Sequence, residues 1–323
     1  MLLPVVLAFF VWLGIVTANV WGKKSIDIAR ATINPIITST PSKISSMLFV
    51  GDIMLSRSVG ELMAKKDDYR WPFEKIADFL KSADLTFANL ETPVSSRGVN
   101  VGSIYSFRSN PKVVQGLNYA GFDIVSVANN HAWDYGREAF GDTLSNLASA
   151  GISYVGGGHS EYEAHAGVIK TVGNTSVGFL AYTNLLPKSV SAIGDSMGVA
   201  VLDEEQMVQD IKVMKSRAQL VVVSFHWGEE YHPVHNALQE RIAHEAIDAG
   251  ADLIIGHHPH VVEDIQQYKG KYIVYSLGNF VFDQNFSAET MKGLAVRVLL
   301  KDDLIQSLEP VNINISREYQ PSL

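Results

Sequence analysis

No cysteine occurs anywhere in the 323 residues. That absence excludes disulfide scaffolds, thiolate metal sites, cysteine nucleophiles and lipid-modified thiols, and it suits any redox compartment. Positive charge is also short, with 26 Lys and Arg against 34 Asp and Glu and a formal net charge of −8. Nucleic acid is therefore not expected as the main partner, because neutralising phosphates requires a basic face. Charged residues reach only 19% while hydrophobic ones make up 47%, the balance of a folded globular chain. No repeat of fixed period is present. Gly156-Gly157-Gly158 lacks the Lys-Ser/Thr of a phosphate-cradling loop and reads as a turn.

From Met1 to Trp21 there is no charged side chain. About 20 apolar residues at 1.5 Å each cross a hydrocarbon layer of roughly 30 Å, so residues 1–22 are expected to form a transmembrane anchor or signal segment. The apolar run exceeds the usual signal-peptide core of about 7–15 residues, which favours an uncleaved anchor. Lys23 and Lys24 follow the run and nothing basic precedes it, so the positive-inside rule would hold the C-terminal bulk in the cytoplasm. Residues 23–46 carry Pro35, Ser39, Pro41, Ser42 and Ser45 without a sustained apolar period and read as a linker. Residues 47–323 then form the folded domain.

In that domain short apolar runs alternate with helical patterns. Met47 to Val50, Leu85 to Ala88, Asp123 to Ala128, Leu220 to Ser224 and Asp252 to Ile255 read as buried strands. Further strands are expected at Tyr272 to Tyr275, Leu294 to Leu300 and Leu304 to Val311, with a hairpin around Gly173-Asn174. Helices are expected through Phe73 to Leu80, from Pro111 to near Gly121, through Phe140 to Leu147, behind the Asp203 cap, and along Leu238 to Ile247. Alternation of this kind predicts a layered α/β fold.

The unusual polar residues fall just past the strands. Asp52, Glu91, Asn130-His131, His226 and His258-Pro259-His260 each follow an apolar run. Loops beyond the carboxyl ends of such strands gather in one crevice, so two carboxylates, an amide and four imidazoles converge. Carboxylates brought together repel, and one takes up a proton unless a cation resolves the conflict. Oxygen and nitrogen donors suit one or two divalent ions, Mn, Fe, Zn or Mg. Paired ions of this type clamp a phosphoryl oxygen, and an imidazole beside them can protonate the leaving oxygen. His159, His165, His232, His235 and His244 are read as solvated. His257 is expected to face away from His258 and at most to support the ligands. Trp71, Trp133 and Trp227 read as core.

Taken in order, Gly51-Asp52-Ile53-Met54-Leu55 with Arg57, Ala88-Asn89-Leu90-Glu91-Thr92, Ala128-Asn129-Asn130-His131 with Asp134 and Gly136, Phe225-His226-Trp227-Gly228, Gly256-His257-His258-Pro259-His260 and Ser276-Leu277-Gly278-Asn279-Phe280 resemble the CapA family of capsule and poly-γ-glutamate biosynthesis proteins, within the calcineurin-like metallophosphoesterase superfamily. The likeness runs from about Met47 to Asp283. It implies a four-layer αββα sandwich around a two-metal centre, here preceded by one N-terminal transmembrane helix. By position, Asp52 would ligate one metal and Glu91 would bridge both. Asn130, His226 and His258 would complete the second site, and His260 would serve the first. The resemblance makes His131, with Asn130, the catalytic pair, His131 as general acid, and suggests Arg57 and Asn279 as substrate-binding residues.

Two departures stand out. Asp52-Ile53-Met54 replaces the superfamily's Asp-x-His, and Glu91 replaces a bridging Asp. The first site thus lacks an imidazole, and its metal is expected either to bind weakly or to be completed by Asn89 or Asn279. The expected function is that of a membrane-anchored, extracytoplasmic protein in the synthesis or export of an anionic capsule polymer, with a phosphoester-hydrolase-like site and capsule synthase membrane subunits as partners. The resemblance favours the outward placement over the Lys23-Lys24 signal. Two alternatives stay open: a non-catalytic metal-bearing scaffold that binds polymer or synthase subunits, and a tethered cytoplasmic phosphoesterase. Arg57, Arg97, Arg108 and Lys112 are the candidate basic contacts for an anionic polymer.

Overall fold

Ser45–Ile53 is buried along all nine residues, as a strand must be when it is paired on both edges and covered on both faces. The computed structural model describes residues 44–323, so the expected transmembrane segment 1–22 and nearly all of the expected linker lie outside the described residues. Among the described residues no helix is long and apolar enough to cross a membrane. The first strand begins before Met47, because Ser45 and Ser46 pair with Leu300 and Leu299 and the Ser46 N–H donates to Asp84 at 2.8 Å.

That strand is central in an eight-stranded mixed sheet. Across it run, in order, Pro321–Ser322, Leu304–Ile315, Lys292–Lys301, Ser45–Ile53, Leu85–Leu90, Ile124–Ser126 and Ser153–Val155, with Asn279–Val281 paired to the end of Ser45–Ile53. A six-stranded sheet runs Ile265–Tyr268, Lys271–Val274, Leu253–His257, Leu220–His226, Thr175–Thr183, Val168–Val172. The two sheets share a core, in which Phe87 of the first stacks on Phe179 of the second at 6.0 Å.

Period-two alternation sorts the second sheet cleanly. Val177, Phe179, Leu220, Val222, Leu253, Ile255 and Val274 join the core between the sheets. Their neighbours Leu180, Tyr182, Val221, Val223, Phe225, Ile254 and Ile273 face Met207, Ile211, Ile242 and Ala246 of helices Glu204–Lys215 and Ala237–Ala249. In the first sheet the four parallel strands step in one direction, so right-handed crossovers place their helices on a single face. The second sheet fills the other face. Helix, sheet, sheet and helix therefore lie in four layers.

Several elements differ from the sequence expectation. The helix through Phe73 to Leu80 is a 3₁₀ turn at Trp71–Phe73 followed by the short helix Ala77–Leu80, because Ile76 leaves helical geometry at φ −127°. Gly157–Gly158 is not a turn but a two-residue strand paired with Gly198–Val199. A Cβ at the preceding Gly156 would lie 2.5 Å from the Ala128 Cβ and 2.8 Å from the Ala181 carbonyl, so close packing requires glycine there.

One buried acid gives the fold a pH dependence. Glu263 accepts from the Gln239 amide at 2.8 Å through one oxygen, while the other has no partner among the described residues. Burial pushes its carboxyl up to about 7. A raised acid contributes stability that is fully present below its unfolded value of 4.5 and is lost as pH rises through 7. Holding the acid at about 7 in the fold corresponds to a loss of about 3 kcal/mol once it is ionised. Glu263→Gln is expected to flatten the fall in melting temperature between pH 5 and pH 8. An equally steep fall in the variant would refute this assignment.

Candidate metal centre

Both sheets point their parallel strand ends to the same place. Ser45–Ile53 carries Asp52, Leu85–Leu90 is followed by Glu91, and Ile124–Ser126 leads to Asn129, Asn130 and His131. From the second sheet, Leu220–His226 ends in His226, and Leu253–His257 runs into His258 and His260. Close backbone approach sets the first of these strands: a Cβ at Gly51 would sit 1.9 Å from the Gly278 carbonyl oxygen, and the Asp52 N–H donates to that same oxygen at 3.0 Å.

The two carboxylates are fully buried. The Asn89 amide donates to Asp52 Oδ1 at 2.8 Å and to Glu91 Oε2 at 3.1 Å, while its oxygen accepts from Asn129 Nδ2 at 3.1 Å. His260 lies between the acids, Nδ1 3.6 Å from Asp52 Oδ2 and Nε2 3.7 Å from Glu91 Oε1. Asn279 Oδ1 stands 3.0 Å from His260 Nδ1; donation from that nitrogen leaves Nε2 as the ligand atom. Asp52, Glu91 and His260 thus present donors within 4.8 Å of one another. Burial pushes the Asp52 carboxyl up, but His257, His260 and Asn89 outweigh it and hold the group below its ordinary value. Burial, then the charge of Asp52, drives Glu91 well above its own.

The imidazoles of His226, His258 and His260 are held neutral, the form that binds metals. Burial lowers His258 and His260 to about 4. Burial and then the surrounding rings hold His226 well below the usual histidine value. The His226 ring reaches Asn130 Oδ1 through Nε2 at 2.8 Å and lies 4.9 Å from the His258 ring. Positive φ is rare away from glycine and gathers at functional sites; His258 has φ 101° and His260 φ 59°. Buried polar atoms are nearly always partnered. Here, among the described residues, Glu91 Oε1 and His258 Nδ1 have no hydrogen-bond partner. Two opposed acids, neutral imidazoles and unpartnered atoms at one point fit a divalent cation.

Beside them the His131 ring is held from two sides. Its Nδ1 meets Asp134 Oδ2 at 2.7 Å, its ring stacks on Phe107 at 3.8 Å, and Nε2 faces Glu91 Oε1 at 3.8 Å. Asp134 is fixed in turn by the Phe107 N–H at 2.7 Å.

The model of the bacterial capsule synthesis protein family PGA_cap matches residues 46–284. This chain belongs to that family. Among its PGA_cap relatives, the PGA biosynthesis protein CapA of Bacillus subtilis (strain 168) is 34% identical over 284 residues, spanning 87% of this chain and 74% of that protein. The capsule biosynthesis protein CapA of Bacillus anthracis is 33% identical over 279 residues, 84% of this chain and 67% of the other. In fold, the PGA_cap chain is similar to a hypothetical protein from Thermus thermophilus, at a TM-score of 0.52 and 17% identity over 83% of this chain and 98% of that one.

All six residues expected to bind metal, Asp52, Glu91, Asn130, His226, His258 and His260, come together around this point, and Asn279 stands behind His260. Neither Asn89 nor Asn279 fills the gap left by Met54: Asn89 turns its NH₂ towards the acids, and Asn279 orients His260. The Met54 sulfur faces the Ser56 N–H and hydroxyl at 3.2 and 3.1 Å. Arg57 ion-pairs with Asp283, and its guanidinium lies 5.0 Å from the Phe107 ring. Arg97 pairs with Asp142 and Glu138 instead of standing free.

His257 is fully buried, its Nδ1 3.2 Å from Asp52 Oδ1, closer to the acids than its expected outward orientation implied. Three other histidines are not simply solvated. His165 meets Asp210 at 2.7 Å, His235 stacks on Tyr275 at 3.8 Å, and His244 stacks on Tyr268 at 3.7 Å. The sequence reading also missed Glu230, whose donor lies within 4.8 Å of those of His258 and His260; its only signal was a place in the loop after His226.

Proposed function

We propose that this protein is a metal-dependent, phosphoester-hydrolase-like component of capsule synthesis or export, acting on an anionic capsule polymer of poly-γ-glutamate type or on a phosphoester linked to it. The observation that carries this reading is the buried meeting of Asp52, Glu91 and His260 with His131 alongside, its ring fixed by Asp134. Asp52, Glu91, Asn130, His226, His258 and His260 would hold one or two divalent ions, which supply Lewis-acid stabilisation of a phosphoryl oxygen. The chain does the rest. His131, anchored through Nδ1, keeps Nε2 free to protonate a leaving oxygen. Phe107 covers one face of that ring and keeps water from it. Arg57 lies over the Phe107 ring, where an anionic substrate would compete with Asp283 for its guanidinium, and the buried Asn279 would act through His260.

Residues 1–22 would hold the domain at the cell membrane, outside the cytoplasm and beside capsule synthase subunits. A reporter fused after Leu323 tests that placement: activity confined to the cytoplasm would favour the tethered cytoplasmic phosphoesterase. The absence of an imidazole at Met54 favours a second reading, a metal-bearing scaffold that binds polymer without turnover. Elemental analysis of the purified full chain, with phosphodiester turnover measured with Mn2+ and after chelation, separates the readings. Bound metal with turnover lost on chelation is the expected result. Metal with polymer retained but no turnover would favour the scaffold, and a chain that takes up no divalent ion would end both.

A further inference from the structure

The acids and imidazoles at the centre leave one donor set unexplained. Glu230, His258 and His260 bring ligand atoms within 4.8 Å of one another, and His260 also belongs to the trio with Asp52 and Glu91. His258 is 6% exposed and its Nδ1 has no partner among the described residues. The position that lacks an imidazole, Met54, has its sulfur turned to Ser56, so nothing from that strand supplies the missing donor. Glu230 comes from the other sheet's loop and is exposed.

Its placement is built by the centre's own framework. Tyr231, the next residue, takes φ 66° and donates its N–H to the Pro259 carbonyl at 2.8 Å, between the two histidines. Gln284 donates to the Tyr231 hydroxyl at 3.1 Å and accepts from Asn279 Nδ2 at 3.0 Å. The Asn279 oxygen is the one that faces His260. One hydrogen-bonded run therefore ties the Glu230 turn to the amide that orients a ligand.

We propose that Glu230 is a metal ligand of this chain, the solvent-facing carboxylate that joins His258 and His260 and replaces the donor missing at position 54. The proposal rests on the metal-centre reading above. A hard oxygen donor there favours Mn2+ or Mg2+ over softer-site ions. Because His258 and His260 are buried and Glu230 is exposed, it is also the member of this trio that an incoming anion meets first.

The test is Mn2+ titration of the purified full chain, read by calorimetry and by the electron paramagnetic resonance of bound Mn2+. Glu230→Ala is expected to lose one bound ion or to weaken Mn2+ at least tenfold, as ligand-shell losses do. Glu230→Gln, which keeps a neutral oxygen, should fall between. Glu229→Ala serves as the control, since Glu229 lies 3.7 Å from His232 and outside the donor set. Melting of the metal-free variants checks that the fold is kept, and Glu230→Gln decides should Glu230→Ala melt early. Unchanged Mn2+ number and affinity in both Glu230 variants would overturn this proposal and leave the metal centre standing. A wild-type chain that binds no Mn2+, Mg2+, Zn2+ or Fe2+ would overturn both.

Discussion

Replacing His260 is expected to reduce metal affinity more than any other single change, by about 100-fold or more. Outer partners of ligands already cost about 10–100-fold, and His260 stands between both acids, 3.6 Å from Asp52 and 3.7 Å from Glu91. Without it, two opposed carboxylates share one dry site and Glu91 keeps its proton, so the cation meets less charge. The variant of choice is His260→Asn, because φ 59° at this position is tolerated by asparagine better than by alanine. Competition against a chromophoric chelator measures the change. Affinity within threefold of wild type would remove His260 from the ligand set.

His131→Ala should leave metal in place and lower kcat by about 10²–10⁴, the usual contribution of a positioned proton donor. The reason is geometric: the ring is gripped by Asp134 at 2.7 Å and by Phe107 at 3.8 Å, with only Nε2 left to act. Asp134→Asn should cost less, roughly tenfold, since the ring loses the carboxylate that fixes its orientation. Turnover unchanged in His131→Ala, with metal retained, would reassign the proton donor.

Much of this was legible from the chain, for identifiable reasons. Buried strands such as Leu220 to Ser224 are continuous apolar runs, so the polar residue that follows each of them stands out. Asp52, Glu91, His226 and the His258/His260 pair were each weak signals singly, and became readable only through their convergence at successive strand ends. Alternation also hid information. Asn89 and Glu91 are two apart and share a face, yet an asparagine inside a strand gives no sign that it will bridge two acids. Glu230 was invisible because loop geometry, set by the Tyr231 turn onto Pro259, decides where its side chain goes. The same holds for His235 and His244, whose stacking partners Tyr275 and Tyr268 lie on other elements. Short pairings such as Asn279–Val281 escape too, since three residues carry no period.

The donors arrive from both sheets: Asp52 of the first and His260, 208 positions later in the chain, meet in one trio. An ion shared between them therefore closes a very long loop of polypeptide. In the chain-entropy account, tying off a loop of that size restrains the unfolded ensemble by about 5 kcal/mol. A polypeptide without a single cysteine has no covalent staple of its own. At this crevice the cation would be its cross-link, and chelation would loosen the sandwich as reduction loosens a disulfide-bonded domain.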